Sequence, residues 1–116
     1  MAIIYHITSR ADWEAALPTG WFTADSLRTE GFIHCSTAGQ VLATANRLFR
    51  GRKDLVLLCV ETDGVQAEIR YENLEGGESL FPHVFGPLAT GSIRSIHAFP
   101  PGADGRFELP AELPSI

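Results

Sequence analysis

Gly31-Phe32-Ile33-His34-Cys35-Ser36-Thr37 leads straight into an amphipathic stretch over residues 38–50. Phe32, Ile33 and Cys35 are the residues of a buried strand. Thr37 stands three positions before Gln40, the spacing of a capping box, so the strand is expected to deliver a polar cluster into the first turn of a helix. Val41, Leu42, Ala45, Leu48 and Phe49 then recur at helical spacing and give that helix one apolar face. Gly51 stops it, with Arg47, Arg50 and Arg52 near the negative end of its dipole. A strand that ends in His-Cys-Ser-Thr at a helix start can hold an anion or a ribose. It is equally an ordinary strand-to-helix junction in which Ser36 and Thr37 serve as caps.

Working outward, residues 2–7 alternate as a first strand. Ser9 is placed to cap a short helix over residues 10–17, with Trp13, Ala16 and Leu17 on its apolar side. Pro18-Thr19-Gly20 breaks this helix, Trp21-Phe22 is extended, and residues 24–29 suit one helical turn. Residues 55–60, Leu-Val-Leu-Leu-Cys-Val, form a continuous apolar run of strand length, expected to be buried on both faces. Residues 67–72 alternate as a half-exposed strand. Residues 73–79 are a Gly- and Glu-rich loop. Residues 81–88 suit a strand whose prolines mark its ends or an edge position. Residues 92–99 alternate again, and 107–109 suit a last short strand. Helices early and strands late indicate an α+β fold. We expect a mostly antiparallel sheet of about six strands with two helices in the N-terminal half.

The chain has 116 residues, enough for one core and one domain spanning 1–116. A net charge of −5 argues against general affinity for DNA, while leaving room for a nucleotide in a local pocket. Cys35 and Cys59 both fall in apolar runs and are expected to be buried free thiols. No segment is apolar for long enough to span a bilayer, and no leader pattern is present, so a cytoplasmic protein is the expectation.

Three of the four histidines, His6, His34 and His83, lie in strands beside apolar residues. Each alone suits a core-edge histidine bonded to backbone. Three together suggest a shared pocket, and three imidazoles are also a zinc ligand set. Glu78 is the acid in the glycine-rich loop nearest the 81–88 strand. No dinucleotide or phosphate-loop glycine motif and no nucleophile elbow occurs. His34 and Cys35 are adjacent on a strand and point to opposite faces, so they cannot pair directly.

Four blocks carry a resemblance: Tyr5-His6-Ile7-Thr8, Asp25-Ser26-Leu27 with Glu30 to Thr37, Ala45 to Gly51, and Leu80 to Leu88. Together they resemble the bacterial DUF952 family, a domain of unknown function. More distantly, the order of motifs is similar to the ADP-ribosyltransferase-like fold, in particular its RNA 2′-phosphotransferase and rifampicin ADP-ribosyltransferase branches. That resemblance implies a split, curved sheet with NAD or a related nucleotide in its cleft. NAD would be a substrate, and no covalently bound cofactor is expected. It implies His6, His34 and Glu78 as catalytic candidates and Thr8, Ser36, Thr37, His83 and Phe85 as ligand-binding candidates. The family pattern's acid is missing from the third functional strand, where His83 stands. Two other functions fit the same residues: an interaction module with structural histidines, and a small metal-dependent hydrolase.

Overall fold

The computed structural model describes residues 2–73, 79–111 and 113. Among them the chain forms eight strands and three short α-helices, a mixed α+β architecture in which every strand pair is antiparallel. The strands are β1 (Ile3–Ser9), β2 (Trp21–Phe22), β3 (Ile33–His34), β4 (Leu55–Glu61), β5 (Ile69–Glu72), β6 (Phe81–Val84), β7 (Leu88–Ala89) and β8 (Ile93–Ala98). The helices are α1 (Arg10–Ala16), α2 (Asp25–Glu30) and α3 (Val41–Leu48). The strands divide into three small sheets, ordered β1-β4-β8, β2-β7 and β3-β6-β5.

The apolar run of β4 explains the layering. Successive side chains point to opposite faces, so Val56, Leu58 and Val60 enter one core with Ile4, Trp13, Phe22, Ile33, Val84 and Leu88. Leu57 and Cys59 enter a second with Tyr5, Ile7, Val41, Ala45, Phe99 and Phe107. The central strand is therefore buried on both sides, as its composition predicts. Helix α1 and the other two sheets cover one face, and α3 with the segment around Phe107 covers the other.

Ser9 caps α1 as expected, its hydroxyl accepting from the Asp12 N–H at 3.1 Å. Gly31 ends α2 at φ +90, a conformation that carries little cost only for glycine, and so turns the chain into β3. Half of the expected capping box forms: the Thr37 N–H donates to Gln40 Oε1 at 3.0 Å. Residues 38–40 remain a turn, so α3 is shorter than the 38–50 expectation and begins at Val41. The Gln40 amide also donates to the Leu80 carbonyl at 2.8 Å, which ties the start of α3 to the entry of β6.

The stretch expected to be one strand over 81–88 is two strands in different sheets, β6 and β7. Pro82 sits in the middle strand of its sheet and not at an edge. It is tolerated as the second residue of β6, where its carbonyl still accepts from the Cys35 N–H at 3.0 Å. Residues 107–109 form no strand; Phe107 packs against Phe99.

The relation between sheets positions the site. The chain leaving β3 crosses the free edge of β1, where Tyr5 and Ser36 exchange two backbone hydrogen bonds of 2.8 Å. This bridge joins the sheet carrying His34 and His83 to the sheet carrying His6. No helix among the described residues is long and apolar enough to cross a membrane.

Candidate functional site

A cleft of 380 Å³ opens where these elements meet. Tyr5, His6 and Ile7 line it from β1, His34, Cys35 and Ser36 from β3 and its exit, Thr44, Arg47, Leu48 and Phe49 from α3 and its end, and Phe81 from β6. The volume lies in the ordinary range of small-molecule sites, and the lining is an apolar surface with a few polar groups.

His6 is the most constrained of those groups. Its Nδ1 lies 2.6 Å from the His34 carbonyl oxygen. A carbonyl only accepts, so Nδ1 carries the proton and Nε2 is left as an acceptor. Burial pushes the imidazole down to about 4, the hydrogen bond to His34 opposes this, and the nearby His34 charge adds to it. The ring is therefore neutral at physiological pH, wedged edge-on against Phe22 with centroids 5.3 Å apart. Ser36 is also buried, at 5% exposure, and its backbone is fixed by the Tyr5 bridge. The residue borders the cleft at this strand junction.

His34 and His83 are cross-strand partners. Their rings lie 5.6 Å apart on the face of the β3-β6-β5 sheet opposite Ile33 and Val84, with Phe32 4.8 Å from His83. His34 is partly exposed, and its Nε2 lies 3.1 Å from Glu30 Oε2, one helical turn earlier in the chain. His83 is fully buried, and neither ring nitrogen has a hydrogen-bond partner among the described residues.

The sequence candidates thus divide. His6, His34 and Ser36 meet at the cleft. Thr8 is buried further along β1 and is not part of the lining, and neither are Thr37, His83 or Phe85. Phe85 instead stacks in a surface group with Phe32 and the Arg70 guanidinium, which lies 4.6 Å from its ring centre. Glu78 falls outside the described residues. Among the described residues no group of three or more His, Cys, Asp or Glu is arranged to hold a metal, and only His6 and His34 of the three histidines border the cleft.

The α3 contribution was not expected. Thr44, Arg47 and Leu48 share a helix face at i, i+3 and i+4, yet Leu48 reads as a core residue in sequence. It is 58% exposed and borders the cleft instead. Cys35 also borders it, but burial pushes its thiol up to about 12, so it supplies bulk and no nucleophile.

The protein-family model for DUF952, a protein of unknown function, matches residues 7–96. The chain belongs to the DUF952 family. Among solved structures it is similar to the crystal structure of protein CC0527 from Caulobacter crescentus, with 38% identity over 91% of this chain and 93% of that one and a TM-score of 0.81. The solution NMR structure of CC0527 gives 39% identity, 91% coverage of each chain and a TM-score of 0.79. No curated protein matches. The fold described above is thus one this DUF952 chain shares with CC0527 along most of its length.

Proposed function

We propose that the cleft binds NAD or a related nucleotide and that His6 and Ser36 read its ribose. The observation that carries this reading is the fixed tautomer of His6. A neutral imidazole with Nδ1–H donated to the His34 carbonyl presents Nε2 as an acceptor, and a ribose hydroxyl is a matching donor. Ser36 lines the same cleft, and its hydroxyl both donates and accepts. The order of parts supports an ADP-ribosyltransferase-like site: a histidine on the first strand, His-Cys-Ser running into a helix, and a later strand paired to that segment through His83.

If the nucleotide is turned over, the reaction transfers or removes an ADP-ribosyl or phosphate group. Cleavage at a ribose carbon builds positive charge that a fixed carboxylate stabilises. β6 carries no acid, so Glu78 is the candidate carboxylate. Binding is therefore the primary assignment and transfer the secondary one. Calorimetric titration with NAD, ADP-ribose, AMP and a 2′-phosphorylated nucleotide tests the first, and mass analysis of the same mixtures after incubation tests the second. Failure of all four to bind overturns the proposal. One observation favours a second reading, an interaction module with structural histidines: His83 is enclosed among Phe32 and His34 and lies outside the cleft.

A further inference from the structure

We propose that Arg47 is the anion anchor of the cleft and that the ligand portion held there is a single nucleoside monophosphate, free or as one half of a dinucleotide. This rests on the nucleotide reading above and makes it more specific.

Three observations carry it. First, Arg47 borders the cleft from the last turn of α3 and has no ion pair or hydrogen bond with any described residue. Arg52 pairs with Asp54 at 2.9 Å and Arg70 with Glu68 at 2.9 Å, and of the arginines without an ion pair among the described residues Arg47 is the one that borders this cleft. An arginine left unpaired at the mouth of an apolar cleft, in a chain of net charge −5, presents a forked donor set to an incoming anion. The position also excludes a rival source of attraction, because the C-terminal end of a helix repels anions. The guanidinium must supply the whole of it.

Second, the polar groups lie on different walls. His6 and Ser36 are on the β1–β3 side, and Thr44 and Arg47 on α3. A ligand that uses both needs hydroxyls at one end and an anion at the other, which describes a ribose phosphate. Third, 380 Å³ is near the lower end of the roughly 300–1,000 Å³ typical of ligand pockets. It suits one nucleoside with its phosphate, and the remainder of a dinucleotide would extend into solvent.

The test compares adenosine, AMP and NAD by calorimetry with the parent chain and with Arg47→Gln. Arg47 is exposed, so the substitution leaves both cores intact, and equal melting temperatures verify this. AMP is expected to bind the parent about tenfold or more tightly than adenosine, since a charge-assisted hydrogen bond contributes at least one such factor. In Arg47→Gln the advantage disappears while adenosine binding is unchanged, and Arg47→Lys restores part of it. If NAD also binds, its dependence on Arg47 matches that of AMP. An AMP advantage that persists in Arg47→Gln overturns the anchor and leaves the nucleotide reading standing, as does equal binding of AMP and adenosine by the parent. Absence of binding by all three overturns both.

Discussion

The His6 ring donates its Nδ1–H to the backbone carbonyl of His34 across 2.6 Å, and this one bond joins the first strand of one sheet to the entering strand of another. It fixes the ring's tautomer and leaves Nε2 as an acceptor on a residue that borders the cleft. Because the bond ends on backbone, any residue at position 34 could accept it.

The depressed His6 titration makes stability depend on pH. The group falls from 6.5 in the unfolded chain to about 4 in the fold. Between those values the unfolded state binds the extra proton, so stability rises with pH through this window. The contribution is fully present above pH 6.5 and is lost as pH falls through 4, and it is on the order of 3 kcal/mol. Chemical denaturation at intervals from pH 4 to 8 should show this slope, and His6→Gln should lose it. A slope unchanged in the variant would assign the effect to another group.

His83 should be replaceable by a ring without nitrogens. Its two nitrogens are buried with no partner among the described residues, and an unsatisfied buried polar group costs about 1–3 kcal/mol. His83→Phe keeps the edge contact with Phe32 and should be neutral or stabilising by about 1 kcal/mol, read from denaturation midpoints. A loss of stability would show that the imidazole holds a partner such as a buried water.

Both thiols should be silent in the native protein. Cys35 and Cys59 are buried and unpaired, and burial raises both, Cys35 to about 12. A thiol-specific chromogenic reagent at pH 8 should report no fast reaction in buffer and two thiols in denaturant. Rapid native labelling of one thiol would contradict the burial of its strand.

Gly86 approaches Ala67 so closely that an added Cβ would lie 2.7 Å from the Ala67 Cβ. This contact holds the segment before β5 against the chain leaving β6. Gly86→Ala should cost about 1–3 kcal/mol through overpacking, and Ala67→Gly in the same chain should recover a large part of it. Additive losses in the double variant would show that the two sites do not touch.

Much of this architecture is legible in the sequence because it is encoded locally. The doubly apolar run at residues 55–60 and the Ser9 cap each state their role within a few residues. The division of 81–88 into two strands is not local: it depends on which sheet each half joins, and a proline at position 82 argues against a central strand in any sequence reading. The same holds for the site. His6, His34 and Ser36 stand out because polar residues interrupt apolar strands. Arg47 and Leu48 do not, because a charged residue and a leucine at the end of an amphipathic helix look like solvent face and core. Only the packing of α3 beside the Tyr5–Ser36 bridge turns that face towards the cleft.

The most direct test of a ribose-reading cleft is a thermal-shift comparison of the parent with His6→Gln and Ser36→Ala against NAD, ADP-ribose, AMP and a 2′-phosphorylated nucleotide. Ligand at about a hundred times its dissociation constant stabilises a native state by about 2.7 kcal/mol, several degrees for a domain of this size. The account predicts such a shift in the parent with at least one of these nucleotides, and a much reduced shift in both variants. No shift with any nucleotide, or shifts of equal size in parent and variants, would contradict it.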